Sequence, residues 1–252
     1  MSGFASLLRK DLLEQWRTFR LPAIGIVFLI FGLASPLLAK YSGELVEQFA
    51  GNIEIIIPTP TIKYAHDQLI KNLGQIGPIA AILLGMGVVA TEKKRGTAAL
   101  IFTKPVTRSA FIISKFLALM ATVTTGVVLG CAAGFAYTSI LFETPPLGRY
   151  VYLTLLLLLA LTVYAAITFL GSTILRSPLA AAGIGLAALA ISLALGALPG
   201  LGSYMPVSLY GPAVKIALGE PIPSLFLPVA INLAIVATSI LIAWISFRRQ
   251  TL

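Results

Sequence analysis

"FLALMATVTTGVVLGCAAGFAYTSILF", residues 116–142, runs for 27 positions without a charged side chain. A bilayer core is crossed by roughly 20 apolar residues in a helix, so this run is long enough to span it. Five more such runs surround it, at residues 22–39, 73–91, 150–175, 177–214 and 221–247. Composition agrees: 58% of the chain is apolar and 11% charged, where soluble domains carry about 25% charged residues. Strands of a membrane barrel would alternate with period two over about ten residues, and these runs do not. The sequence predicts an all-α membrane protein with six transmembrane helices. The fifth run exceeds one span and contains "LPGLGSYMPVSLYGP" (198–212), so its helix is expected to end near Leu198 and to give way to a Gly/Pro-rich outer segment.

Charge sets the expected orientation. Arg9, Lys10, Arg17 and Arg20, six bases between residues 91 and 115, and Arg176, Arg248 and Arg249 fall on one side of the spans, with Asp11, Glu14 and Glu92. Lys40, Lys63, Lys71, Arg149 and Lys215 fall on the other, with Glu44, Glu47, Glu54, Asp67, Glu143 and Glu220. Bases near span ends are retained in the cytoplasm, which predicts that both termini and residues 91–115 are cytoplasmic. The overall charge of +9 thus reflects topology. Nucleic acid is not an expected partner, because no solvated basic domain exists to receive it.

Residues 2–20, "SGFASLLRKDLLEQWRTFR", gather Phe4, Leu8, Leu12, Trp16 and Phe19 on one arc, with Lys10, Glu14 and Arg17 opposite. This predicts an interfacial helix against membrane lipid, turning into the membrane at Pro22. The same residues carry acids and lack an apolar h-region and a cleavage site, so no signal peptide is expected. Gly126, Gly130 and Gly134 repeat every four residues in the third run, and "SPLAAAGIGLAALA" (177–190) makes a face of the fifth run small. Such faces let helices approach closely, and packing within one chain is the expected use. Ser177 before Pro178 suits a helix start.

Several chemistries are missing. None of the six runs holds the titratable side chain that a proton- or ion-coupled transporter keeps at mid-membrane. The chain has no GxxxxGK[ST] phosphate loop, no HExxH and no GxSxG, so no catalytic residue, cofactor site or metal site is expected. Cys131 is the only cysteine and reads as a buried small side chain. His66, the only histidine, is expected in the first outer loop, solvated or locally hydrogen-bonded.

"EKKRGTAALIFTKPVTRSAFIISKF", residues 92–116, resembles the signature of ABC-2 type transporter permeases. In that signature a mixed-charge cluster, Gly-Thr, an apolar turn, Pro, a Ser/Thr-Arg pair and a Lys follow the second span. Glu92, Arg95, Gly96, Thr97, Pro105, Thr107, Arg108 and Lys115 match it. The resemblance implies one transmembrane permease domain over residues 1–252, serving an ATP-driven exporter as a dimer with a second copy or a paralogue. It also implies that residues 92–108 are a coupling segment docking on separate cytoplasmic ABC ATPase subunits, which would hold the ATP and Mg. Thr97 can begin a short helix there, residues 98–102, Leu100 and Phe102 among them, give it an apolar face, and Pro105 stops it. Lys93, Lys94, Arg95, Lys104 and Arg108 are expected to meet lipid phosphate or acidic groups of the ATPase.

Residues 199–223, with Pro206, Tyr210 and Pro212, are expected to form an outer gate, since broken backbone at membrane depth must be buried or line a wet cavity. A secondary transporter or channel, and a non-transporting relay for an ATPase, are the alternative readings.

Overall fold

The computed structural model describes residues 2–50, 60–97, 106–222 and 224–250. Every regular element among them is helical: α1 (Ser2–Arg17), α2 (Arg20–Ala50), α3 (Ile62–Met86), α4 (Ala90–Lys94), α5 (Arg108–Leu141), α6 (Leu147–Ile174) and α7 (Pro178–Gly196). Two 3-10 turns, Leu201–Tyr204 and Pro206–Leu209, then lead into α8 (Tyr210–Leu218) and α9 (Phe226–Arg249). Six segments are long and apolar enough to cross a membrane, as expected: α2 to Ser42, α3 with α4, α5, α6, α7 and α9.

α6 is the centre of the bundle and packs on α3, α5, α7, α8 and α9. Leu153, Leu157, Leu161 and Phe169 are fully buried along it. α2 lies against α5, and the glycines set how closely. A Cβ on Gly130 would come 2.9 Å from the Phe28 carbonyl oxygen, and one on Gly126 would come 2.5 Å from Ile24. A Cβ on Gly134 would meet Leu69 of α3 at 2.9 Å. The Gly126-Gly130-Gly134 row is therefore an intramolecular seam, as the sequence suggests. α7 buries Ala181, Ala182, Gly185 and Ser192, while Leu179, Leu186, Ile191 and Leu193 stay exposed. It begins at Ser177, whose Oγ accepts from the Ala180 N–H at 3.4 Å, with Pro178 in the first turn.

Three sequence expectations need correction. α2 runs on to Ala50 instead of stopping near Ala39, and α3 begins at Ile62 instead of Leu73. Uncharged runs mark only the hydrocarbon crossing, and a helix continues past it wherever its ends are capped and its polar turns find neighbours. Thr61 caps α3, accepting from the Tyr64 N–H at 3.2 Å. His66 accordingly lies inside α3, in no loop, and is buried. Its Nδ1 is 2.7 Å from the Ile62 carbonyl and its ring packs edge-on to Tyr150. The segment after α7, expected to sit at membrane depth, carries the 3-10 turn Pro206–Leu209 and the helix α8. Val207 packs beside Ile82 and Tyr164, and Asn232 of α9 donates to the Tyr204 carbonyl at 3.0 Å. Its chain re-enters the bundle, where its backbone groups are met by protein.

Candidate functional site

The end of the bundle that holds both termini is organised around Lys115, whose side chain is only 5% exposed. Its ammonium lies 2.7 Å from Glu92 Oε1, 2.9 Å from Asp11 Oδ1 and 3.6 Å from Glu14 Oε2. Lys10 approaches the same groups, 3.1 Å from Glu92 Oε1 and 3.7 Å from Asp11 Oδ1. Ser114 Oγ donates to Asp11 Oδ2 at 2.8 Å. Three carboxylates share two ammonium groups, and the sharing joins α1, α4 and α5. Asp11, Glu14 and Glu92 stand close enough to hold a metal ion, but Lys115 already supplies the cation they face.

A second set of contacts ties α4 and the start of α5 to helix ends. Ser172 Oγ accepts from the Val89 and Ala90 N–H groups at 3.1 and 3.0 Å, which satisfies the opening of α4. Lys93 Nζ donates to the Thr173 carbonyl at 2.7 Å, to the Ile174 carbonyl at 3.2 Å and to Gln250 Oε1 at 2.9 Å. Arg108 Nη1 donates to the carbonyls of Phe247, Arg248 and Gln250 at 3.2, 2.7 and 2.9 Å. These carbonyls lie in the last turns of α6 and α9 and at the residue just past α9, where the helix dipole also favours a cation. Lys93 and Arg108 are thus engaged inside the protein.

The predicted coupling residues fall into three groups. Glu92 and Arg108 are anchored as described. Arg95, Gly96 and Thr97 are exposed. Gly96 has φ 69° and closes α4, its N–H donating to the Lys93 carbonyl at 3.2 Å. A residue with a Cβ would be strained there. Leu100, Phe102 and Pro105, with the short helix expected over residues 98–102, lie outside the described residues.

Of the interfacial-helix residues, Phe4, Leu8 and Leu12 are half-buried and Trp16 is 60% exposed. The face of α1 turned inward is Leu7, Asp11 and Gln15. Sequence reasoning missed that face, because two of its three residues are polar and their partners sit on distant elements. The available signal was spacing: an acid four residues from a leucine and four from a glutamine.

Towards the opposite end, α3, α7 and the re-entrant segment border a cavity of about 480 Å³. Asp67, Lys71 and Gln75 form one edge of it along α3, while Leu189, Leu193, Val207 and Val214 make apolar walls. Tyr210, one of the predicted gate residues, lines it and packs on Gly74. Its hydroxyl is buried without a hydrogen-bond partner among the described residues. Pro206 is buried and begins the second 3-10 turn; Pro212 is half-buried in α8.

Six spanning helices with an amphipathic helix folded against one end and a re-entrant segment near the other define a multi-pass α-helical membrane protein. Residues 5–218 match the family model of the ABC-2 family transporter protein, and the chain belongs to that family. It is 32% identical over 226 residues to the protein named uncharacterized transmembrane protein YxlG of Bacillus subtilis (strain 168), a match covering 86% of each chain. Members of the family are transmembrane transport components, generally not catalytic themselves, that associate with ABC ATPases.

Proposed function

We propose that this chain is the permease subunit of an ATP-driven exporter, with residues 92–108 receiving the motion of a separate cytoplasmic ATPase that binds the ATP and Mg. The observation that carries this reading is the bracing of the segment at both ends. Glu92 is tied through Lys115 to α1 and α5, Lys93 to α6, and Arg108 to α9. Lys94, Arg95, Gly96 and Thr97 stand exposed between the braces. A push on them reaches four helices through short polar contacts. α1 serves in this reading as an interfacial lever resting on lipid.

The cargo path runs along the cavity between α3 and α7, closed on its open side by a second copy or a paralogue, with Tyr210 and its neighbours as the outer gate. A polar edge beside apolar walls suits an amphipathic cargo better than a fully charged one, which would lose more hydration than the walls return.

The test replaces residues 97–102 by Gly and Ser and measures ATPase co-purification and permease-stimulated ATP turnover in lipid. Glycine costs a helix about 1 kcal/mol per residue relative to alanine, enough to melt a short helix that no membrane protects. Both signals should fall while the protein still inserts. Wild-type levels of both would reduce the segment to an anchor loop. Arg95→Glu is the cleaner charge variant, because Arg108→Glu would also strip the cap from α9.

A further inference from the structure

A second trough, of about 440 Å³, lies between α2 and α3 at the end that holds the termini. Ile24 and Val27 of α2 and Ile79, Leu83 and Leu84 of α3 line it, and Arg20 is the one charged residue on its wall. Ile79 and Leu83 are well exposed, so the trough opens on the side where hydrocarbon surrounds the bundle. Apolar walls alone would accept any lipid chain. Arg20 is what gives the site a preference.

Arg20 is half-buried and forms no hydrogen bond or ion pair among the described residues. It is the first residue of α2, following an elbow at Phe19, which has φ 58°. Its Nη2 lies near Gly87, 3.7 Å from where a Cβ would stand, and so faces the carbonyl end of α3. That end offers partial negative charge but no closed contact. A half-buried guanidinium at a membrane boundary is stabilised by an anion, and its planar fork matches a phosphate. Trp16 and Phe19 beside it are 60% and 74% exposed, the kind of aromatic side chains that settle at headgroup depth. From Arg20 to Val27 the trough extends about 10 Å along α2, less than the roughly 15 Å of hydrocarbon in one leaflet. A phosphate on Arg20 therefore leaves its acyl chain inside the adjoining leaflet.

We infer that this trough binds an anionic phospholipid of the leaflet on the terminal side, its phosphate on Arg20 and one acyl chain between α2 and α3. Arg20 is the only base among the residues that line the trough, which makes it the headgroup's contact there.

The full chain, in phosphatidylcholine nanodiscs, is illuminated with a trace of phosphatidylglycerol or phosphatidylcholine carrying a photoreactive acyl chain, and labelled peptides are mapped. Phosphatidylglycerol should label residues 20–27 and 76–84 about fivefold more than phosphatidylcholine, the ratio for one base at an anionic headgroup. That excess should vanish in Arg20→Gln and persist in Arg9→Gln, a matched charge loss at an exposed site on α1. Ala23→Trp, which fills the trough from an exposed position, should reduce labelling by both probes. If Arg20→Gln does not accumulate, competition decides in the unaltered protein: unlabelled phosphatidylglycerol must remove the label, while equal phosphatidylcholine or soluble glycerol phosphate must not. Equal labelling by the two headgroups or an excess that survives Arg20→Gln would each overturn the assignment. No ATPase is present, so the outcome is separate from that of the coupling test.

Discussion

At the scale of single residues, Lys115 is where the charges of the terminal end converge, and its substitution should be among the costliest in the chain. Lys115→Met leaves the largely buried Asp11 and Glu92 with only the half-exposed Lys10 between them, and breaking a buried pair costs about 3–5 kcal/mol. Thermal unfolding in micelles should show the loss. Adding Asp11→Leu should recover part of it, because the second change removes one of the stranded carboxylates. Simple additivity of the two substitutions would mean that they do not interact. Sequence alone could place Lys115 in the family signature but could not pair it with Asp11. That contact closes only once α1 folds back over α5.

At the scale of elements, the α2–α5 seam and the α7 surface make opposite predictions for the same kind of change. Gly130→Ala drives a methyl towards the Phe28 carbonyl, where overpacking costs about 1–3 kcal/mol. Gly183→Ala meets nothing within 4 Å and should stabilise α7 by about 0.5–1 kcal/mol through helix propensity. Unfolding midpoints in one detergent compare the two directly. A stabilised Gly130→Ala would mean that the helices separate more readily than their contacts indicate. Glycines that look alike in sequence thus differ by what the fold places opposite them.

At the scale of the whole molecule, the described contacts bring α1, α4, the start of α5, the end of α6 and the end of α9 to one end. Lys63 and Glu220 pair at 3.4 Å at the other. This matches the two groups into which the bases and acids of the sequence divide. A cysteine at Thr144, exposed between α5 and α6, should react with a membrane-impermeant maleimide in intact cells, and one at Lys94 should not. The background is clean because Cys131 is buried. Reversed labelling would invert the cytoplasmic assignment of both termini and remove the coupling segment from the ATPase side.

The sequence by itself determined the number of spans and their approximate centres, because the loss of hydration on entering lipid excludes charge from every crossing and so writes each span as an uncharged run. It also marked Ser177-Pro178 as a helix start and Gly126, Gly130 and Gly134 as a packing face, both local properties of chain geometry. Tertiary structure alone decided how far α2 and α3 extend and which face of α1 turns inward. It decided, too, that Lys93 and Arg108 reach the ends of other helices. Those outcomes depend on which orphaned carbonyl or carboxylate lies within reach of which side chain, and the distances involved exist only after the helices have packed.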